Sequence, residues 1–115
     1  MAPEALGALV AANEDLFDPR WRGIEFGCGW GELFTEMLNR CRRKGAPPIT
    51  ITKEKMGSLR IYFADQSHPV GREIRSEAME RSQRTCEICG VPGRTKAIRP
   101  GYIATRCAIH EGPEM

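Results

Sequence analysis

Apolar positions recur with helical spacing near the start of the chain, where Leu6, Leu9, Val10 and Phe17 follow Pro3, a residue suited to a helix's first turn. The spacing predicts a first helix over about residues 3 to 16, stopped by Asp18 and Pro19. The next segment, DPRWRGIEFGCGWG, is dense in glycine and aromatics and reads as a structured loop with a short strand at Gly23 to Phe26. Trp21, Phe26 and Trp30 are expected to anchor the core. From Trp30, the residues Leu33, Phe34, Met37, Leu38 and Cys41 fall three, four, seven, eight and eleven positions on, which is the apolar stripe of a second helix. Arg40, Arg42, Arg43 and Lys44 crowd its last turn, where positive charge complements the helix dipole, and Gly45, Pro47 and Pro48 end it.

The period then changes from helix to strand. Ile49 to Lys53 and Leu59 to Phe63 alternate on either side of Met56, Gly57 and Ser58, predicting a β-hairpin with one buried face and an outer face of Thr50, Thr52, Arg60 and Tyr62. Residues 65 to 71 carry no period and read as a loop. A third helix is expected over about residues 71 to 83, with Ile74 and Ala78 inward. On its charged side Glu73 and Glu77 repel, while Glu77 with Arg81 and Glu80 with Arg84 are supporting pairs. Pro92, Gly93, Pro100 and Gly101 then punctuate a short terminal segment whose best strand is Tyr102 to Thr105.

That terminal segment carries the most specific chemistry of the chain: Cys86, Cys89, Cys107 and His110 form a CxxC-x17-CxxH array. Each pair places two ligands on one tight turn, and two such turns complete the closed tetrahedron that Zn²⁺ prefers, so one structural zinc ion is the expected cofactor. Without His110 the set would become a three-cysteine site with exchangeable water, and His68 offers itself as a substitute ligand. The whole therefore reads as an α+β fold: two N-terminal helices packed on a β-hairpin, then a helix leading into a C-terminal zinc ribbon or short treble-clef-like finger. Residues 1–84 form the helical and hairpin core and residues 85–115 the zinc-binding finger. At 115 residues the core is modest, and metal binding can decide whether the finger folds.

Other chemistry is thin. Cys28 lies in a glycine loop without a nearby histidine and Cys41 sits on the apolar stripe, so both fit small core residues, and EFGCGWGE lacks the lysine and hydroxyl of a phosphate loop, so it reads as a helix-start turn. No histidine lies between the two CxxC-type turns, which removes the general base of zinc nucleases, and the chain is expected not to be an enzyme and to have no small-molecule substrate. The start lacks a basic n-region and nothing approaches the length of a membrane span, so a cytoplasmic protein without membrane association is expected. Net charge is only +2, yet residues 1 to 39 hold seven acids against two bases and residues 40 to 60 hold seven bases against one acid. Arg94, Lys96, Arg99 and Arg106 in the finger, with Arg60 and Tyr62 on the hairpin, form a candidate partner surface for acidic protein or nucleic acid.

The stretches GCGWGELFTEMLNRC, ITKEKMGSLRIYF, TCEICGVPGR and GYIATRCAIH, in that order, resemble a family of small uncharacterised phage and prophage proteins with a C-terminal zinc-ribbon-like module. Where that family favours a glutamine and a phenylalanine, this chain has Ile51 and Met56, and its first helix lies outside the match. The resemblance implies zinc and a phage setting, and by analogy an accessory protein that inhibits a host protein, such as a defence nuclease complex, by stoichiometric binding. The spacing of the cysteines is also similar to the zinc finger of regulators that enter the secondary channel of RNA polymerase. Those end on cysteine where this chain has His110, and they need a long helical hairpin where residues 45 to 64 read as strands.

Overall fold

The amphipathic stripe that starts at Trp30 builds the centre of the molecule. In the computed structural model, which describes residues 1–112, helix α2 (Gly31–Lys44) buries Leu33, Phe34, Met37, Leu38 and Cys41 and ends on Gly45 at φ 72°, a left-handed cap that glycine adopts without strain. Helix α3 (Pro69–Ser82) packs against α2 with Ile74 and Ala78. Burying each of the larger side chains contributes about 1.5–3 kcal/mol. Helix α1 (Pro3–Ala11) adds Leu6, which is buried, while Leu9 and Val10 are partly so.

Two helix boundaries differ from the periodicity. The first helix stops at Ala11, because Asn13 turns its side-chain amide back to donate to the Leu9 carbonyl (2.8 Å) and leaves helical φ/ψ, and a separate 3₁₀ turn covers Glu14–Leu16. The third helix starts earlier than expected. His68 is its cap, its Nδ1 accepting from the Val70 N–H at 3.2 Å, and Pro69 takes the first helical position. That role also removes His68 as a substitute metal ligand, since the length of α3, about 21 Å at 1.5 Å per residue, separates it from Cys86.

Strands β1 (Ile24–Glu25), β2 (Ile49–Lys55) and β3 (Ser58–Phe63) form a sheet in that order, β1 parallel and β3 antiparallel to β2. The hairpin is as expected, but its faces are not. Ile49 pairs with Phe63 and Ile51 with Tyr62, leaving Thr50 as an extra residue in a β-bulge. A one-residue slip moves every later side chain across the sheet. Thr52 is therefore fully buried rather than outward, its hydroxyl accepting from the Trp21 indole (3.0 Å) and donating to the Gly23 carbonyl (3.2 Å), and Ile51 takes the outer side. Arg60 and Tyr62 stay half-buried on the outer face.

The turn between β2 and β3 has two residues, Met56 at φ 55° and Gly57 at φ 78°, the positive pair that a type I′ hairpin turn requires. Met56 is 56% exposed, so nothing offsets its left-handed backbone, which costs a non-glycine residue about 1–2 kcal/mol. Met56→Asn is expected to stabilise the protein by about 0.5–1 kcal/mol, read as a raised midpoint in thermal denaturation. An unchanged or lowered midpoint would contradict this account of the turn.

A ladder of ion pairs closes the α2–α3 seam. Glu36 meets Arg81, Arg40 meets Glu77, and Lys44 meets Glu73 at 2.7 Å. The four-residue steps of the two antiparallel helices keep the pairs in register. The Glu73–Glu77 repulsion along α3 is thus answered across the seam, and the basic last turn of α2 serves a neighbouring helix as well as its own dipole. Strands β4 (Arg94–Arg99) and β5 (Tyr102–Arg106) form a second, two-stranded antiparallel sheet. The observed α+β architecture, with three α-helices and two small sheets among the described residues, is the one expected from the sequence.

Candidate metal centre

One tight turn precedes β4 and the other follows β5, so both lie at the open end of the hairpin, where its register brings them together. Arg94 lies opposite Arg106, so Gly93 abuts the start of the second turn; a Cβ on Gly93 would sit 2.9 Å from the Arg106 carbonyl carbon. In the first turn the Cys86 N–H donates to the Val91 carbonyl (2.8 Å) and the Gly90 N–H to the Cys86 carbonyl (2.9 Å), with Gly90 at φ 85°. In the second, the His110 and Glu111 N–H groups donate to the Cys107 carbonyl at 3.0 and 2.9 Å.

The four ligand atoms of Cys86, Cys89, Cys107 and His110 all lie within 4.8 Å of one another. Cys89 Sγ is 3.7 Å from Cys107 Sγ, and His110 Nδ1 is 3.7 Å from Cys86 Sγ and 3.2 Å from Cys107 Sγ. A tetrahedral zinc with usual bond lengths places sulfurs about 3.8 Å apart and sulfur about 3.5 Å from nitrogen. The cluster can therefore hold a metal ion and is compatible with a small zinc-binding module.

Its electrostatics favour a bound cation. Burial pushes the Cys86 thiol up, but the N–H groups of Cys89, Cys107 and Ile88 and the Cys89 thiol outweigh it and bring Cys86 down to about 6. At Cys89 the Val91 N–H pulls down, but burial and the neighbouring Cys86 and Cys107 sulfurs win and push the thiol up. One thiolate is solvated by the backbone, and a second beside it is resisted until positive charge arrives.

The finger sits on the core through backbone. The Gly29 N–H donates to the Glu87 carbonyl (2.9 Å) and the Trp30 indole N–H to the Thr85 carbonyl (2.8 Å), while within the finger the Glu87 N–H donates to the Thr105 carbonyl (3.0 Å). A Cβ on Gly27 would lie 2.3 Å from the Glu87 carbonyl oxygen, and one on Gly29 2.2 Å from that of Cys86. The glycine cluster, which reads in sequence as a helix-start turn, is thus also the bed on which the first ligand turn lies. At the other contact, fully buried Thr105 donates its hydroxyl to the Gly57 carbonyl at the tip of the β2–β3 hairpin.

The candidate partner residues fall into two groups. Arg94, Lys96, Arg99 and Arg106 are gathered on β4–β5, where Arg99 and Arg106 both lie over the Tyr102 ring, at 4.7 and 5.9 Å from its centroid. Arg94 and Lys96 share the Glu111 carboxylate (3.5 and 3.2 Å), and Arg106 is held by Glu87 (3.1 Å). Arg60 and Tyr62 lie on the other sheet, Arg60 donating to the Ser58 hydroxyl at 2.8 Å. Sequence reading singled out neither Glu87 nor Glu111: an acid beside a metal ligand looks like any surface charge until the strands are paired. Burial raises the Glu87 carboxyl above its ordinary value despite Arg106, with nearby Glu54 adding to the rise. Cys41 is 2% exposed and burial pushes its thiol up to about 11, the state of an inert core residue.

No protein family, curated protein or solved structure matches this chain. Among the described residues no helix is long and apolar enough to cross a membrane.

Proposed function

We propose that this chain is a small zinc-stapled binding protein that acts by stoichiometric contact with a partner protein and not by catalysis. The observation that carries the reading is the closed Cys86, Cys89, Cys107 and His110 set, in which His110 fills the fourth position that a catalytic zinc keeps open for water. The ion would be structural, holding the β4–β5 hairpin against the glycine bed of the core. The resemblance to phage accessory proteins is what supports a host protein, such as a defence nuclease complex, as the partner and the bacterial cytoplasm as the setting.

The second reading is a nucleic-acid or RNA-polymerase binder using Arg94, Lys96, Arg99 and Arg106. The carboxylates of Glu111 and Glu87 weigh against it, because they already pair with three of those four cations and cancel half of their charge. The test is affinity capture from a nuclease-treated bacterial lysate, compared with binding of bare DNA and RNA across a salt series. One protein captured in stoichiometric amount by the metal-loaded form and lost with the metal supports the proposal. Tight nucleic-acid binding with a steep salt dependence and no such protein would overturn it.

A further inference from the structure

We propose that the outer face of the β4–β5 hairpin is a receptor for carboxylate side chains of an acidic protein segment, and that Glu111 fills this receptor while no partner is bound. The inference rests on the binding-protein reading above and gives the partner its chemistry.

The hairpin places like charges where sheet stability would not. Arg94 lies directly opposite Arg106, an arrangement that destabilises an antiparallel pair. Lys96 is two residues along β4 from Arg94 and so on the same face, and Arg99 continues the cationic row over the Tyr102 ring. Stacking on one ring holds Arg99 and Arg106 in place, so little side-chain freedom is lost when they meet a ligand.

Two carboxylates from outside the hairpin answer this charge, and they differ in how they are held. Glu87 is only 8% exposed, lies inside the first ligand turn and has its backbone N–H tied to Thr105, so its pairing with Arg106 is part of the fold. Glu111 follows the last ligand, and its carboxylate reaches back over Arg94 and Lys96. With Arg94 and Arg106 it borders a cavity of about 320 Å³, large enough to admit the side chain of an incoming residue. Rotation of one glutamate side chain would leave both cations without their carboxylate and would not move the metal ligands.

The chemistry of the guest is already displayed by Glu111: a single carboxylate spanning a guanidinium and an ammonium group. Alternate residues of an extended strand are about 6.6 Å apart, so an extended acidic segment alongside β4 can present carboxylates at the spacing of Arg94 and Lys96. A nucleic-acid backbone fits less well. Glu54 and Glu87 lie with Tyr102 around a neighbouring cavity, and a phosphate chain running on past Tyr102 would meet them, whereas a short acidic segment ends before them.

The test uses the full chain loaded with zinc and a fluorescein-labelled hexaglutamate peptide, followed by fluorescence anisotropy. Glu111→Gln, which removes the competing charge, is expected to bind the peptide about fivefold or more tightly than the native protein, and Lys96→Gln about tenfold more weakly. Equal or weaker binding by Glu111→Gln, with zinc content and melting temperature unchanged, would overturn the proposal. So would a larger gain for a single-stranded oligonucleotide than for the peptide. If Glu111→Gln loses metal, Glu111→Asp supplies the same comparison, since its shorter side chain cannot span both cations. Absence of zinc from the folded native protein would instead sink the underlying structural-zinc reading, so the two failures are distinguishable.

Discussion

Replacing Cys107 with serine is expected to release the metal, lower the melting temperature by about 15 °C or more and shift Trp30 emission toward the red. Among the described residues from Thr85 onward no large aliphatic or aromatic side chain is buried; the buried apolar residues there are Cys86, Ala104 and Cys107. Such a segment cannot offset its own ordering entropy by apolar burial. A metal ion held by the four ligands would supply the difference. Forfeiting even a third of an apparent zinc-binding free energy of about 10–16 kcal/mol corresponds to that temperature drop at about 4 °C per kcal/mol. Trp30 reports the event because it is fully buried and its indole N–H donates to Thr85, the residue before the first ligand. The contacts of α2 and α3 with the three-stranded sheet do not run through the finger, so most far-ultraviolet dichroism should survive at low temperature. Cys41→Ala is the control: it removes a buried thiol from the stripe of α2, costs about 1 kcal/mol or somewhat more, and keeps the metal. A Cys107→Ser protein with native metal content and melting temperature would contradict the ligand assignment.

The second large effect is expected at Gly29, where alanine should destabilise the protein by about 3 kcal/mol or more. Its Cβ would fall 2.2 Å from the Cys86 carbonyl oxygen and 2.5 Å from the Glu87 carbonyl carbon. Both obstacles are backbone, and neither can retreat easily. The Cys86 N–H is tied to Val91, the Glu87 N–H to Thr105, and the Cys86 sulfur belongs to the metal cluster. The Gly29–Glu87 hydrogen bond would be lost with the contact. Because the ligands themselves are untouched, Gly29→Ala should keep its metal while melting lower, which separates loss of docking from loss of zinc. Gly7→Ala gives the contrast: nothing lies within 4 Å of a Cβ there, and a helix-interior alanine gains up to about 1 kcal/mol over glycine. A melting temperature for Gly29→Ala within 2 °C of the native value would overturn the docking account.

These two sites mark how far the sequence could be read. The stripe Leu33, Phe34, Met37, Leu38 and Cys41 was legible because every one of its positions obeys a single period, and all five are buried. The ligand set was legible because its spacing puts two metal-ligating residues on each of two tight turns, and the four come together. Thr52 was misplaced because a bulge at Thr50 resets strand alternation, and bulges leave no mark in composition. The first helix was drawn too long because Asn13 competes for the Leu9 carbonyl, a local bond that apolar spacing does not register. The glycines of FGCGWG were visible, but their second purpose was not: close approach involves a partner segment almost sixty residues away along the chain. The same holds for the α2–α3 ladder, whose pairs exist only once two helices lie antiparallel.

Everything proposed for this chain depends on one ion held by Cys86, Cys89, Cys107 and His110, and metal analysis tests that claim most directly. Protein purified without added zinc and freed of adventitious metal by gel filtration should contain about one equivalent of zinc. Metal-free protein that nevertheless melts cooperatively at an unchanged temperature would contradict the account.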